Sequence, residues 1–328
     1  MKLKVFFAVF VLSLPFWWAV NVSTGKLENF LFWQEIAKNP QLLTARINSQ
    51  IFEEKLRREK IIRNPAAEEL EINARAAISV FTNNNFENQK ILFQKNGNGI
   101  LPIASLAKLM TAYVVLENYD IDQTIDISEK AVFQSEDFGN FKITESFKIK
   151  DLLYSLLMES SNDAAYALTE IIGEDAFAVL MNLEAKNILG KDNQNTIFGN
   201  AAGLDPKKNG NQFNFSTAED LAKITVHLLK KQPFIWEILS QQDFDLYSSD
   251  GVFHHKIIST NELLGKIPGI IGGKTGETQQ AGGCLILILK PKNNQGFLIN
   301  VLLGSDDRFG EMEKLIDWVN LTYGLQTK

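Results

Sequence analysis

The chain has 328 residues, of which 45% are hydrophobic and 22% charged, and its formal net charge is -6. This length allows one large domain or two modest ones, and the composition is that of an ordinary globular protein. The negative net charge argues against a nucleic-acid partner, because binding to a phosphate backbone needs clustered Lys and Arg side chains.

The first 25 residues are predicted to be a signal peptide or an N-terminal membrane anchor. Lys2 and Lys4 precede an apolar run over 5–22, and a charged head followed by an apolar stretch is typical of both. The run is close to the roughly 17 residues that a minimal membrane span needs, and no Ala-x-Ala cleavage site follows it. We therefore favour an uncleaved anchor, with the two lysines on the cytoplasmic side and the rest of the chain outside.

Residues 26–71 are predicted to form a helical stalk or linker. Leu43, Ile47 and Ile51 follow helical spacing, and the charged run over 53–60 gives the segment a solvated face. This pattern fits a spacer that holds the domain off the membrane, a helix that lies on the membrane surface, or a helix packed loosely on the domain. The pattern leaves these three arrangements open.

The remaining residues, 72–328, are predicted to form one domain of mixed architecture. Strands from both ends of this segment with helices between them predict an α+β fold, in which an antiparallel sheet carries an inserted helical subdomain. The predicted strands lie over 76–81, 90–94, 284–289 and 297–303. The predicted helices begin at Ser105 and lie over 149–158, 163–172, 218–229 and 311–321.

The first chemical motif opens the predicted helix that begins at Ser105 and includes Lys108. Side chains at i and i+3 share one face of a helix, so the lysine amine can approach the serine hydroxyl. A serine hydroxyl becomes a good nucleophile when a neighbouring base takes its proton, and a lysine with a lowered pKa can be that base. The helix N-terminus also presents N–H groups to a developing oxyanion. By itself, however, a Ser-x-x-Lys sequence is far more often a surface pair.

The second motif, Ser160-Ser161-Asn162, lies at a joint between two predicted helices. Such a joint can aim the hydroxyl of Ser160 and the amide of Asn162 into a cleft. Taken alone, the motif is more often an ordinary polar turn between helices, because Ser and Asn favour turns.

The third motif is Lys274-Thr275-Gly276, within a strand-like run flanked by glycines. Glycines in a strand allow another backbone to approach closely. An edge strand with free N–H and C=O groups can pair with an extended peptide substrate, and Lys274 and Thr275 can bind a carboxylate. The alternative is a strand end followed by a turn.

In this order and with their flanking residues, the three motifs resemble those of serine-type D-alanyl-D-alanine carboxypeptidases, the low-molecular-mass penicillin-binding proteins. The likeness runs from about Ala74 to Gly304 and implies a β-lactamase/DD-peptidase-like, or penicilloyl-serine transferase, fold. The segments that carry it besides the third motif are 103–112, 152–157, 160–165, 202–205 and 216–222.

The resemblance implies a role for each residue of the first two motifs. Ser105 forms the acyl-enzyme and Lys108 is its base. Ser160 and Asn162 relay protons and hold the substrate amide. The resemblance implies neither a metal nor a cofactor.

The resemblance also assigns the third motif and the residue after it. Lys274 and Thr275 bind the terminal carboxylate, beside Gly276, and the backbone N–H groups of Ser105 and Glu277 form the oxyanion hole. Many relatives carry His, Tyr or Phe where this chain has Glu277, so its charge is expected to disfavour acidic substrates or to alter the pH dependence. This chain is also shorter than relatives with a C-terminal β domain and anchor, so its N-terminal segment is expected to provide the anchoring.

The implied activity is removal of the terminal D-Ala from peptidoglycan stem peptides, with β-lactams as covalent inhibitors. The implied location is the outer face of the bacterial membrane, or the periplasm or cell-wall space if the leader is cleaved. The alternatives are a DD-endopeptidase of cross-links, a serine β-lactamase and a non-catalytic penicillin-binding sensor. The β-lactamase is disfavoured because its best-known class needs a loop glutamate for deacylation, and none lies between Gly190 and Asp205.

The remaining candidate groups are three histidines and one cysteine. His227 is expected to be structural within a helix, and His254 and His255 are expected in an exposed loop. They carry no supporting motif, so we discard a zinc peptidase and a Ser-His-Asp triad. Cys284 begins an apolar strand and is expected to be a buried structural thiol.

Overall fold

The computed structural model describes residues 61–133, 139–206, 213–292 and 296–325, together with Asn39 and Gln41. Its contacts divide the chain into two units, 1–62 and 63–328, and the second is described below. The predicted leader lies outside the described residues, as does nearly all of the predicted stalk up to residue 60. None of the helices in the described ranges is long and apolar enough to cross a bilayer.

The second unit contains strands and helices in a mixed order. In chain order its strands are β1 (Ala76–Asn83), β2 (Lys90–Lys95), β3 (Leu101–Pro102), β4 (Thr124–Asp126), β5 (Ser146–Lys148), β6 (Phe215–Ser216), β7 (Asp243–Tyr247), β8 (Phe253–Ile258), β9 (Ile270–Thr278), β10 (Gly282–Leu289) and β11 (Gly296–Ser305). Its α-helices are α1 (Lys108–Asn118), α2 (Glu129–Val132), α3 (Ile149–Tyr154), α4 (Asn162–Glu170), α5 (Glu174–Leu189), α6 (Ala218–Lys231), α7 (Pro233–Leu239) and α8 (Arg308–Tyr323). A 3₁₀ turn (Ala104–Ala107) precedes α1, and a π-helical turn (Ser155–Glu159) follows α3.

A five-stranded antiparallel sheet joins the two ends of this unit, in the order β2-β1-β11-β10-β9. Consecutive residues of β10 are buried, as expected for a strand covered on both faces. Helix α6 packs on β1 and β11, and α8 packs on β10 and β11. Strand β9 lies at one edge of this sheet, which leaves its outer backbone groups available to the cleft described below.

The structure confirms the predicted α+β class, with a sheet from both chain ends and an inserted helical region. The strands expected at both ends and the helices expected from their apolar spacing are all present. Helix α5 was not predicted, because exposed Val179 and Leu183 alternate with its buried Phe177, Met181 and Ala185 and obscure the apolar stripe. Helix α7 was not predicted either.

A hairpin of β7 and β8 corrects the prediction for His254 and His255. Both histidines lie in β8 and are partly buried, not in an exposed loop. Strand β7 alternates polar and apolar residues, and Asp250-Gly251 lies in the connecting turn, so a hairpin signal was present in the sequence.

Helix α5 offers a matched pair of substitutions that tests this packing. Met181→Ala is expected to lower the free energy of unfolding by about 3 kcal/mol, because Met181 is fully buried and its loss leaves a cavity. Leu183→Ala, two residues further on an exposed side of the same helix, is expected to change it by less than about 0.5 kcal/mol. Urea unfolding of the two variants measures both changes, and equal losses would contradict this placement of α5.

Candidate active site

Ser105 lies in the 3₁₀ turn before α1, at the wall of a cleft. Two glycines from distant segments approach the backbone of this turn. A Cβ atom on Gly203 would lie 2.1 Å from the carbonyl oxygen of Ala104, and one on Gly276 would lie 2.9 Å from the amide nitrogen of Ser105. Gly203 also has a φ of 83°, which other residues rarely adopt. Side chains at these two positions would therefore push the walls of the cleft away from Ser105.

The amine of Lys108 is fully buried beside the hydroxyl of Ser105. Its Nζ lies 3.0 Å from Ser105 Oγ, 2.7 Å from Asn162 Oδ1 and 2.7 Å from the carbonyl oxygen of Ala202. A neutral amine has two N–H groups for the amide and carbonyl oxygens and one lone pair for the serine O–H. The geometry therefore suits an amine that accepts the proton of Ser105.

The second motif lies where the π-helical turn meets α4. Ser160 follows that turn with a φ of 66°, in the left-handed region. Ser161 caps α4 by accepting a hydrogen bond from the amide of Ala164, 3.1 Å away. Asn162 is the first residue of the helix, and its side chain faces Lys108. The predicted polar joint therefore exists, and it aims Ser160 and Asn162 at two different lysines.

The second of these lysines is Lys274 on β9, which is also fully buried. Its Nζ donates to Ser160 Oγ at 2.9 Å and to the carbonyl oxygen of Thr275 at 2.9 Å. Burial, and then the positive charge of Arg308, lower the pKa of Lys274 to about 7. The amine is thus poised between its charged and neutral forms near neutral pH.

The three motifs line one cleft of about 290 Å³. Ser105, Ser160, Asn162, Thr275, Gly276 and Glu277 all contribute to its wall, and Lys108 and Lys274 lie behind it. The hydroxyl of Thr275 contacts that of Thr260 at 2.6 Å. A nucleophile, a buried amine and a cationic strand around one opening are the parts needed to transfer an acyl group from a carboxylate-bearing substrate to a serine.

Arg308 is a cleft residue that the sequence analysis missed. It begins α8, lines the cleft, and donates from one terminal nitrogen to the carbonyl oxygen of Gly276 at 3.3 Å and to the carboxylate of Glu277. No local motif marks it, because it reaches the cleft from a helix beyond two further strands. The side chain of Glu277 is 65% exposed, lies at the rim of the cleft and forms an ion pair with Arg308.

The other groups named from the sequence lie apart from these motifs. His227 is within hydrogen-bond distance of the Tyr113 hydroxyl, 3.1 Å away, which confirms a structural position. Cys284 is buried in β10, and burial raises its pKa to about 11. Over the described ranges, no group of three or more His, Cys, Asp or Glu side chains could hold a metal ion.

Comparison with known proteins gives consistent matches over this unit. The family model described as D-alanyl-D-alanine carboxypeptidase matches residues 63–307. The chain is 29% identical to D-alanyl-D-alanine carboxypeptidase DacF of Bacillus subtilis over 71% of its own length and 60% of the relative's. It is 30% identical to a D-alanyl-D-alanine endopeptidase of Escherichia coli over 77% of its length and 79% of the relative's.

Among solved structures, the chain is similar to penicillin-binding protein D2 of Listeria monocytogenes in its ampicillin-bound form. The identity is 31% and the TM-score is 0.65. The match covers 77% of this chain and 99% of the Listeria chain. It confirms the expected DD-peptidase-like fold.

The contact of Gly203 with the Ser105 turn gives a matched test of the cleft. Gly203→Ala is expected to slow acylation of Ser105 by an activated ester at least about 10-fold, because the new Cβ would displace the Ala104 carbonyl. Gly251→Ala has the same φ of 83° but open space around the new Cβ, so it carries the backbone strain without the displacement. Mass spectrometry of the acylated protein measures both rates. If the two variants lose reactivity equally, the close approach at Gly203 does not shape the site.

Proposed function

Because the chain belongs to the D-alanyl-D-alanine carboxypeptidase family, we propose that it is a serine peptidase that removes the terminal D-Ala from peptidoglycan stem peptides. The observation that carries the proposal is the buried Lys108 amine, 3.0 Å from the Ser105 hydroxyl and 2.7 Å from the Asn162 side chain. In the proposed reaction Ser105 is the nucleophile and Lys108 is its base.

In the acylation step, Ser105 Oγ attacks the carbonyl carbon of the penultimate D-Ala, and its proton passes to Lys108 Nζ. An O–C bond forms while the carbonyl electron pair moves to oxygen. The backbone N–H groups of Ser105 and Glu277 stabilise the resulting oxyanion. Asn162 holds the substrate amide in line with the nucleophile.

Collapse of the intermediate breaks the C–N bond and releases D-Ala. The nitrogen of the departing D-Ala takes the hydroxyl proton of Ser160. Ser160 is reprotonated by Lys274, whose Nζ lies 2.9 Å from Ser160 Oγ, and Lys274 then takes a proton from solvent. Lys108 gives up its extra proton to solvent, then takes one from the attacking water and returns it to Ser105 Oγ as the ester breaks. The net reaction consumes one water and leaves every enzyme group unchanged.

The terminal carboxylate of the substrate binds to Lys274, Thr275 and Arg308. A bound carboxylate favours the charged form of Lys274, whose pKa of about 7 in the free protein leaves it only partly charged. Glu277 already pairs with Arg308 at the rim, so the substrate carboxylate competes with it. The Glu277 charge at the rim is therefore expected to disfavour substrates with further acidic groups or to alter the pH dependence.

We extend the proposal to β-lactam antibiotics as covalent inhibitors. The Listeria relative, 31% identical, was solved in ampicillin-bound form. A β-lactam carries an amide carbonyl and a carboxylate, and these groups suit Ser105 and the cationic end of the cleft. The expected product is an acyl ester on Ser105.

The second candidate is a DD-endopeptidase that cleaves peptidoglycan cross-links. It is favoured by the Escherichia relative, which is named as an endopeptidase and of which this chain covers 79%. The same nucleophile and base carry out both reactions, and the two differ in how much of the leaving group the cleft accepts.

The proposed location is the outer face of the bacterial membrane, or the periplasm or cell-wall space after cleavage of the leader. This proposal rests on the lysines and the apolar run of the first 25 residues. The part of the predicted 26–71 stalk that precedes residue 63 then connects the leader to the second unit in sequence. The proposed substrate, peptidoglycan, lies on that side of the membrane.

The activity is tested with the full chain in detergent, a stem peptide that ends in D-Ala-D-Ala, and a cross-linked dimer. The wild type is expected to release free D-Ala from the first substrate. Ser105→Ala is expected to lower the rate by at least about 10³-fold, because it removes the nucleophile. Ser240→Ala, an exposed serine that does not line the cleft, is the matched control and is expected to retain the wild-type rate.

Other outcomes separate the remaining candidates. Monomer from the dimer without free D-Ala would move the assignment to the endopeptidase. Rapid turnover of a chromogenic cephalosporin would support a β-lactamase. Ampicillin labelling without release from either peptide substrate would support the non-catalytic sensor, and full release of D-Ala by Ser105→Ala would contradict the proposed mechanism.

A further inference from the structure

Four ionisable side chains form a continuous line of contacts that ends at the cleft. Glu145 Oε2 lies 3.1 Å from His254 Nε2, and His255 Nε2 lies 3.0 Å from Glu159 Oε2. Between these two pairs, the Nδ1 atoms of the histidines lie 2.6 Å apart. The proposed mechanism uses none of these four residues.

The line is shielded from solvent along most of its length. The His254 side chain is 9% exposed, and it stacks on Phe141 and meets the edge of Phe147. His255 is 19% exposed and Glu159 is 9% exposed. Hydrogen bonds in such surroundings are stronger than at an open surface, so each contact has a strong effect on the position of its partner.

Glu159 connects the histidines to the second motif. It lines the cleft and immediately precedes Ser160. Its other carboxylate oxygen accepts from the hydroxyl of Ser155, 2.5 Å away at the start of the same π-helical turn. The hairpin end is tied to this turn as well, because Thr260 donates from its amide to the carbonyl oxygen of Met158 at 2.9 Å. The turn that sets the position of Ser160 is thus held from β8.

The contact between the two imidazoles bears on how many protons the pair holds. Each Nε2 faces a carboxylate oxygen, which suits an Nε2 that carries a hydrogen. With that assignment, two neutral rings would present their Nδ1 lone pairs to each other at 2.6 Å. One additional proton would convert this repulsion into an N–H···N hydrogen bond. The short Nδ1–Nδ1 distance therefore suits a pair that shares one extra proton.

We propose that His255, supported by His254, is a positioning residue for the reaction: it holds Glu159 and the Ser160 turn while the two imidazoles share a proton. This inference rests on the proposed function, in which Ser160 passes a proton to the leaving nitrogen. Loss of the shared proton leaves two facing lone pairs, releases Glu159 and moves the Ser160 hydroxyl from its working position. Acylation then falls when rising pH removes the shared proton.

Charged groups surround the pair. The pKa of His254 is lowered, chiefly by burial and further by the charges of His255 and Lys142, while the carboxylate of Glu145 opposes this effect. Glu159 faces His255 from the π-helical turn. On the hairpin itself, the charged neighbours are Lys256 and its partners Asp243 and Asp245, which form an exposed cluster of their own.

The test measures the rate constant for ampicillin acylation of the full chain between pH 5 and 9. H255Q and H254Q are each expected to lower it about 10-fold near neutral pH and to remove the part of the alkaline fall that comes from the imidazole pair, leaving the part that follows Lys274, whose pKa is about 7. H227Q is the matched control: the third histidine contacts Tyr113 on α1 and lies outside the line. It is expected to keep the wild-type rate and pH profile. An unchanged alkaline fall in H255Q and H254Q would overturn the proposal, since a purely structural role lowers stability without altering the shape of the profile.

A second measurement uses only the wild type, so it tests the proposal even if the histidine variants fail to fold. With ¹⁵N-labelled histidine, the shared proton is expected to give a low-field signal coupled to two imidazole Nδ1 atoms, and the signal is expected to disappear as the pH rises. Absence of the signal at every pH would also overturn the proposal. If the signal is present but neither ampicillin nor the stem peptide acylates Ser105, the result contradicts the proposed function and leaves the shared proton of the two histidines supported.

Discussion

The structure is organised around two lysine side chains that have no exposed surface. Burial of an amine is costly in either protonation state unless hydrogen-bond partners replace the lost water, so the fold must supply such partners to Lys108 and Lys274. The acceptors come from distant parts of the chain: Asn162 and the Ala202 carbonyl serve Lys108, and Ser160 serves Lys274. Any change that moves one of these segments leaves a buried amine without its partner.

Each lysine is paired with one serine, and the two pairs face one cleft from different elements. The Ser105–Lys108 pair forms within one turn and the helix that follows it. The Ser160–Lys274 pair spans 114 residues and joins the helical region to the edge of the sheet. This difference suits the proposed roles, because a base needs a fixed distance to its nucleophile, whereas a proton donor must also accommodate the leaving group between helix and sheet.

The local part of this site could be predicted from the sequence, and the long-range part only in outline. Spacing of three residues at a helix start predicted the approach of Lys108 to Ser105, because helical geometry fixes which side chains share a face. The contact between Lys108 and the Ala202 carbonyl oxygen could not be predicted, because every residue has a backbone carbonyl and no residue type marks this one. Arg308 was missed because its proximity to the cleft depends on the order of the strands. The His255–Glu159 contact was missed because it depends on the register of the hairpin. Strands β10 and β11 were predicted because their apolar runs are long and nearly continuous.

The most direct test of the account is the site and rate of ampicillin acylation in the wild type and in Lys108→Gln. Peptide mass spectrometry is expected to find one adduct, on the peptide that contains Ser105. The variant is expected to form it at least about 10²-fold more slowly, because the serine loses its base. An adduct on a different residue, or acylation of Lys108→Gln at the wild-type rate, would contradict the claim that the buried amine activates Ser105.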